Sequence, residues 1–291
     1  MQPSAVTDPA VREGHLACLG PHGFHRTAYT EWGDPGNPHV VICVHGLTRN
    51  GRDFDALASR LSGKCRVICP DVVGRGKSDW LPHKADYGYP LYLGDMAALI
   101  ARSGAERVDW IGTSMGGLVG MLLAAMPQAP IRRLVINDVG PFIPKAALER
   151  IAAYVGRDPH FVDAAEAEAY LRRVHEPFGP LTDDQWRHLA RFGTRSAEGG
   201  RIALAYDPGI AEAFRSGIRD VDLWPVWKQV QCDVLITRGA KSDLLSAETA
   251  QTMIKQGPAR GRLVEFAGVG HAPMFMSEDQ MSVVESFLLA V

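Results

Sequence analysis

The chain has 291 residues, of which 46% are hydrophobic and 22% charged, and its formal net charge is −2. This is the composition of an ordinary globular protein. Because the charge is close to zero, no general basic surface is expected, and we predict no nucleic-acid partner. The longest apolar stretch, residues 118–126, is far shorter than the roughly 20 residues that a membrane-spanning helix requires. We therefore also predict no membrane association.

The cysteines and the first residues of the chain bear on its cellular location. No Cys-x-x-Cys pair and no zinc-type Cys/His spacing is present among the five cysteines, which are Cys18, Cys43, Cys65, Cys69 and Cys232. Residues 1–13 lack the apolar core of a signal peptide. We expect a cytoplasmic protein with reduced cysteines and no metal.

Short β-branched runs alternate with helix-like segments along most of the chain. After a half-exposed strand at residues 24–31, apolar runs predict buried strands at 39–44, 65–70, 107–112, 132–137, 233–237 and 262–266. Helices are predicted between them at 54–61, 90–103, 115–126, 247–256 and 279–290. Continuous apolar runs are typical of strands that are buried on both faces. The pattern predicts an α/β fold, a mostly parallel sheet with helices on both faces.

One segment, residues 141–225, interrupts this alternation. It contains no convincing buried strand, many aromatic residues and four helix-like segments, at 146–155, 164–175, 183–192 and 210–216. The segment is too long for a loop and short for an independent domain. We interpret it as a helical lid over a core that is formed by residues 1–140 and 226–291.

The strongest chemical signal is the Gly-x-Ser-x-Gly pattern centred on Ser114. It lies directly after a predicted strand and directly before an apolar helix. A sharp turn at this point would lift the Ser114 hydroxyl above the sheet, where it can act as a nucleophile. The alternative is a serine that only caps the helix. The strand–turn–helix context favours the nucleophile.

A serine nucleophile needs a base, and the base needs a carboxylate that orients it. His271 follows the last predicted strand within a glycine-rich turn and is the predicted base. Asp243, after the penultimate strand, completes the chain order Ser, Asp, His. Asp138 closes the strand at 132–137 and could reach the same imidazole. We favour Asp243 as the acid and retain Asp138 as the alternative.

The remaining site residues are predicted from position. The backbone N–H groups of Met115 and Leu47 are candidates for an oxyanion hole, because one opens a helix and the other lies in the loop after a strand. Arg49 and Arg75 could bind a carboxylate, but we interpret them as solvated surface residues. The candidates for substrate contact are His45, Phe142, Trp186 and Met274, although packing also explains each of them.

Two nucleotide-binding patterns are rejected. The run Gly74-Arg75-Gly76-Lys77-Ser78 is similar to the end of a P-loop, but that motif needs a glycine where Asp71 stands. No Gly-x-Gly-x-x-Gly follows the first apolar strand, and no His-Glu-x-x-His is present. We therefore predict no nucleotide, metal or other cofactor.

Taken together, several motifs resemble the α/β-hydrolase fold superfamily. They are Gly112 to Gly116, the His45-Gly46 loop, residues 71–79, the Asp243 turn and Gly270-His271. The resemblance extends from Phe24 to Val291. It implies an eight-stranded, mostly parallel sheet, a helical cap at 141–225 after the sixth strand, and a Ser-His-Asp hydrolase without a cofactor. Serine at the nucleophile position argues against the epoxide hydrolase and haloalkane dehalogenase branches.

We accordingly expect hydrolysis of carboxylic esters of small acyl substrates through an acyl-enzyme, with water as the second substrate. Activity should fall on acidification, because a protonated imidazole cannot accept the serine proton. The alternatives are a lactonase or carbon–carbon bond hydrolase with the same triad, and a receptor-like pseudoenzyme. Short acyl esters, hydroxyacid oligomers and aromatic-derived acids are all permitted as substrates. Homo-oligomerisation is left open.

Overall fold

The computed structural model describes residues 11–215 and 217–290. Its strands are β1 (Arg12–Gly20), β2 (Gly23–Trp32), β3 (Val40–Val44), β4 (Arg66–Pro70), β5 (Val108–Thr113), β6 (Ile131–Asn137), β7 (Phe142–Ile143), β8 (His160–Phe161), β9 (Thr194–Ser196), β10 (Ile202–Leu204), β11 (Val221–Asp222), β12 (Asp233–Gly239) and β13 (Gly261–Phe266). Its α-helices are α1 (Asp55–Leu61), α2 (Tyr89–Ser103), α3 (Met115–Ala124), α4 (Lys145–Ala152), α5 (Ala164–Val174), α6 (Asp183–Gly193), α7 (Trp224–Trp227), α8 (Ala247–Gln256) and α9 (Glu278–Leu288). None of these helices could cross a bilayer, by length and apolarity together.

Eight strands form the main sheet, in the order β1-β2-β4-β3-β5-β6-β12-β13. All neighbours from β4 to β13 are parallel, and the two antiparallel pairs are β1-β2 and β2-β4, so only β2 runs against the other strands. The prediction of an α/β fold with a mostly parallel, eight-stranded sheet is therefore confirmed.

The strand β1 was not predicted from the sequence. It is the outer strand of a hairpin with β2, and the register runs from Arg12 opposite Glu31 to Gly20 opposite Gly23. Its residues alternate between exposed and half-buried along most of its length. An edge strand of this kind carries no continuous apolar run, so its signal in the sequence is weak.

The buried strands divide the core between the two faces of the sheet. In β3, Val40, Ile42 and Val44 pack into a cluster with α2 and α3, whereas Val41 and Cys43 pack into a cluster with α1 and α9. This division follows from the two-residue period of a strand. Helices therefore cover both faces of the sheet. The polar side chains of a site lie at the ends of the strands.

Residues 141–225 contain α4, α5 and α6, which match three of the predicted helices, and the fourth overlaps a 3₁₀ stretch at 208–214. Residue 216 of that prediction lies outside the described residues. The segment also contains short strands, which pair as β8-β10-β9 and β11-β7. The Asn50 side chain donates a hydrogen bond of 2.8 Å to the Phe192 carbonyl. This bond joins the segment to the loop after β3.

Candidate active site

Ser114 occupies a sharp turn between β5 and α3, with φ 52° and ψ −114°. Residues other than glycine rarely adopt a positive φ, so the surrounding packing must hold this conformation. A β-carbon on Gly112 would lie 2.1 Å from the Gly116 carbonyl oxygen, and one on Gly116 would lie 2.1 Å from the Val44 carbonyl oxygen. Both glycines are therefore required for the close approach of β3, β5 and α3.

The Ser114 hydroxyl, the His271 imidazole and the Asp138 carboxylate form one hydrogen-bonded line. His271 lies in the loop between β13 and α9, and its Nε2 is 3.0 Å from Ser114 Oγ. Its Nδ1 is 2.7 Å from Asp138 Oδ2. An imidazole held between a hydroxyl and a carboxylate in this way can accept the hydroxyl proton through Nε2.

The preference for Asp243 as the partner of His271 is wrong, and the alternative, Asp138, occupies that position. Asp138 is fully buried, and its Oδ1 accepts a hydrogen bond of 2.9 Å from the Gly239 N–H. Asp243 is directed outward, and its Oδ2 is paired with Arg150 Nε at 2.5 Å. The loop after β12 thus covers Asp138 and turns the Asp243 side chain away from the imidazole.

Ser242 is a member of this site that the sequence analysis missed. Its Oγ lies 2.7 Å from Asp138 Oδ2, the same oxygen that faces His271. The hydroxyl therefore adds a donor to a carboxylate that has no solvent to hydrate it. Only its position next to Asp243 could have indicated it.

The backbone N–H groups of Leu47 and Met115 flank the Ser114 turn. Neither N–H is paired with an acceptor in the part of the chain that the structure describes. The Leu47 carbonyl on the same loop accepts a hydrogen bond of 2.8 Å from Arg75 Nε. The buried Arg75 guanidinium therefore fixes the orientation of this loop.

Arg49 and Arg75 are both buried, contrary to the prediction of solvated surface residues. Arg75 Nη1 donates to the Val73 carbonyl at 2.7 Å and to the Tyr92 hydroxyl at 3.0 Å. Arg49 forms an ion pair with Asp53 at 2.6 Å. Short-range sequence patterns do not reveal such burial, because the atoms that cover the two guanidinium groups come from distant parts of the chain.

His45 borders the site, but both of its ring nitrogens are occupied. Nδ1 donates to the Gly46 carbonyl at 2.7 Å, and Nε2 accepts from the Val72 N–H at 2.9 Å. Burial lowers the pKa of His45 to about 3, and the nearby Arg75 and Arg49 charges act in the same direction. A neutral imidazole therefore joins two loops and has no free nitrogen for a substrate.

The space beside Ser114 is a cavity of about 80 Å³, which we call the Ser114 cavity. Its other principal lining residues are His271, Leu47, Arg49, Tyr154, His175, Phe178 and Met274. Pockets for drug-sized ligands measure roughly 300–1,000 Å³, so this cavity suits a short acyl unit.

Of the other predicted substrate contacts, Met274 and His45 line the Ser114 cavity and two residues do not. Trp186 lies behind the lining, stacked on Phe178 at a centroid distance of 6.4 Å. Phe142 lines a separate cleft of about 600 Å³, which contains Asp243 but neither Ser114 nor His271. The cleft that contains Phe142 is therefore larger than the Ser114 cavity, but it does not adjoin Ser114 and His271.

One cluster in the described part of the chain has donors that suit a metal ion. Cys18, His25 and Asp95 are buried together, with one donor atom from each within 4.8 Å of the others. His25 Nε2 lies 2.8 Å from Asp95 Oδ2, so these two groups already satisfy each other. The cluster lies between β1, β2 and α2 and is not part of the Ser114 cavity.

The sheet order and the serine turn between β5 and α3 together define an α/β hydrolase. A model of the alpha/beta hydrolase family matches residues 41–284, and the chain belongs to this family. The chain is 46% identical to a 3-hydroxybutyrate-oligomer hydrolase of Cupriavidus necator, over 95% of this chain and 97% of that protein. It is 32% identical to a 2-(acetamidomethylene)succinate hydrolase of Mesorhizobium japonicum, over 74% and 75% of the two chains.

Solved structures agree with this family. A crystal structure of an alpha/beta hydrolase from Novosphingobium aromaticivorans is 37% identical, with a TM-score of 0.86 over 97% of this chain and 99% of that one. The structure of E-2-(acetamidomethylene)succinate hydrolase is 26% identical, with a TM-score of 0.82 over 96% and 100% of the two chains. The protein is therefore a hydrolase by family.

Proposed function

We propose that the protein is a serine esterase that hydrolyses short hydroxyacid oligomers of the 3-hydroxybutyrate type. The observation that carries the proposal is the line from Ser114 Oγ through His271 to Asp138, with distances of 3.0 and 2.7 Å, beside a small cavity. The 46% identity to a 3-hydroxybutyrate-oligomer hydrolase supports the substrate class.

In the acylation step, Ser114 Oγ attacks the ester carbonyl carbon while His271 Nε2 takes the serine proton. The negative charge that develops on the carbonyl oxygen is stabilised by the Leu47 and Met115 N–H groups, and each such donor contributes about 3 kcal/mol in comparable enzymes. The imidazolium then gives its proton to the leaving alkoxide as the carbon–oxygen bond breaks.

Deacylation repeats these transfers with water. His271 Nε2 accepts a proton from the attacking water and returns it to Ser114 Oγ as the acyl–serine bond breaks. Asp138 accepts the Nδ1–H bond, which fixes the tautomer of the imidazole and stabilises its charged form. The products are a shorter hydroxyacid oligomer and a free hydroxyacid.

The test compares wild type with Ser114→Ala on the linear dimer and trimer of 3-hydroxybutyrate, with free monomer quantified by mass spectrometry. We expect the variant to be at least about 10⁴-fold slower, because it lacks the nucleophile. Ser282→Ala, a serine of α9 outside the cavity, serves as the matched control. A fluorophosphonate should label wild type at Ser114. Turnover by Ser114→Ala at the wild-type rate would refute the proposal.

A further inference from the structure

Arg49 and His175 lie together at the inner end of the Ser114 cavity. Both also line a smaller cavity, which continues beneath residues 141–225 and is bordered by Tyr170, Gly193 and Tyr206. A β-carbon placed on Gly46 would lie 3.7 Å from Ser114 Cβ and 4.0 Å from Arg49 Cγ. Arg49 and the nucleophile therefore border the same small space.

One nitrogen of the Arg49 guanidinium, Nη1, is available to donate a hydrogen bond to a ligand. Its Nε and Nη2 donate to the two oxygens of Asp53, at 2.9 and 2.6 Å. Within the described residues, no acceptor is paired with Nη1, and a β-carbon on Gly193 would lie 3.1 Å from this atom. Because Gly193 has no side chain, there is room for Nη1 at the wall of the smaller cavity.

His175 directly follows α5 and presents a neutral imidazole to the same space. Its ring stacks on Phe178 at a centroid distance of 4.6 Å and an angle of 9°. Burial, with smaller contributions from the Arg49 and His271 charges, holds the pKa of His175 well below its usual value. No protein hydrogen bond to the ring is present among residues 11–215 and 217–290. One nitrogen that accepts and one N–H that donates are therefore available.

The charges around this space cancel. Asp53 neutralises Arg49, and the imidazole of His175 is uncharged. Among the cavity-lining residues that the structure describes, Arg49 and Arg150 are already paired with Asp53 and Asp243, so a bound carboxylate would add a negative charge without a free cation beside it. A hydroxyl group fits, because it can accept from Arg49 Nη1 and donate to a nitrogen of His175.

We propose that Arg49 and His175 form a hydroxyl-binding subsite that selects 3-hydroxyacyl esters over plain acyl esters. The inference rests on the proposed function, since it assigns the substrate class of the same site. The hydroxyl of a 3-hydroxyacyl group lies two carbons beyond the carbonyl that Ser114 attacks. In a longer oligomer, the ester oxygen at that carbon would occupy the same subsite and accept from Arg49.

The experiment measures kcat/KM for the p-nitrophenyl esters of 3-hydroxybutyrate, butyrate and succinate. For wild type we expect the hydroxybutyrate ester to be preferred over the butyrate ester by about tenfold or more, the value of one well-formed hydrogen bond. The succinate ester, which carries a carboxylate, should be the poorest of the three. A wild-type preference for succinate, or no preference between the first two esters, would overturn the inference.

His175→Phe keeps an aromatic ring for the stack on Phe178 and removes both nitrogens, so the hydroxybutyrate-to-butyrate ratio should fall by about threefold or more, with the Arg49 donor still present. His175→Asn, which retains a donor and an acceptor, should restore part of it. The matched control is His188→Phe in α6, where the histidine ring is tilted by 57° against Phe192 at a centroid distance of 4.8 Å and does not line the cavity. This control should keep the wild-type ratio, and an unchanged ratio in His175→Phe would refute the subsite.

Failure of this inference differs from failure of the proposed function. If wild type hydrolyses the butyrate ester, Ser114→Ala does not, and the ratio is 1, the serine esterase stands and the subsite is refuted. If Ser114→Ala is as active as wild type on every ester, the proposed function itself has failed.

Discussion

His271 Nδ1 lies 2.7 Å from Oδ2 of Asp138, a residue that directly follows β6, and not beside the carboxylate of Asp243 after β12. Strand β6 lies between β5, which ends directly before Ser114, and β12. The Asp138 carboxylate and the Ser114 hydroxyl thus come from the ends of neighbouring strands. The loop after β12 contributes the Ser242 hydroxyl to Asp138.

This arrangement predicts opposite outcomes for two matched substitutions. Asp138→Asn should lower kcat about 10⁴-fold on a p-nitrophenyl ester, because an amide favours the wrong tautomer of the imidazole. Asp243→Asn should keep activity within about twofold, since its exposed pair with Arg150 is of the kind that contributes about 0–1 kcal/mol to folding. A large loss in Asp243→Asn with full activity in Asp138→Asn would reverse the assignment.

Arg75 is expected to be a positioning residue for the oxyanion loop. Its guanidinium holds the Leu47 carbonyl at 2.8 Å, and its Nη2 is 3.7 Å from Met115 Sδ. Arg75→Met should lower kcat by about 10- to 100-fold and weaken binding of a boronic acid transition-state analogue, with a smaller change in KM. Lys77→Met, at an exposed position two residues later, is the matched control. A kcat equal to that of wild type in folded Arg75→Met would contradict this role.

Two glycine-to-alanine substitutions in helices should change stability in opposite directions. Alanine at Gly116 in α3 would place its β-carbon 2.1 Å from the Val44 carbonyl oxygen, whereas no atom lies within 4 Å of such a carbon at Gly94 in α2. Gly116→Ala should lose about 3 kcal/mol or more of unfolding free energy. Gly94→Ala should gain about 0.5–1 kcal/mol, because alanine favours a helix. Urea denaturation measures both, and a stable Gly116→Ala protein would show that the turn is less tightly packed.

His45 should make the folded protein sensitive to acid. Its pKa falls from the ordinary 6.5 to about 3 on folding, so below pH 6.5 the unfolded chain binds the proton more strongly. The contribution of His45 to the free energy of unfolding is therefore complete above pH 6.5. It decreases by about 5 kcal/mol as the pH falls toward 3. Unfolding free energies from denaturant titrations at several pH values test this expectation.

The effect of His45 on stability must be measured against a variant, because a second buried group changes stability with pH in the opposite direction. Burial raises the pKa of Asp71 to about 6, so its contribution to stability decreases as the pH rises from 3.8 toward 6. His45→Gln should remove only the histidine part of the pH dependence, and exposed His83→Gln should leave the curve unchanged. Parallel curves for wild type and His45→Gln would contradict the prediction.

The amino-acid sequence alone indicated the features that depend on neighbouring residues. Apolar runs located most strands, and the spacing of Gly112, Ser114 and Gly116 located the turn. His271 was identified by its position between the last strand and the last helix. Each of these signals is local, because strand periodicity and the steric limits of a turn act over a few residues.

Only the tertiary structure decided between Asp138 and Asp243, and only it showed that Arg49 and His175 line the cavity while Arg75 holds the Leu47 carbonyl. Both aspartates follow apolar strands, and their sequence contexts are alike. Which of them reaches the imidazole depends on the lateral order of β5, β6 and β12 and on the path of the loop beyond β12. Burial of an arginine likewise depends on atoms supplied from far along the chain, and short-range periodicity carries no information about such contacts.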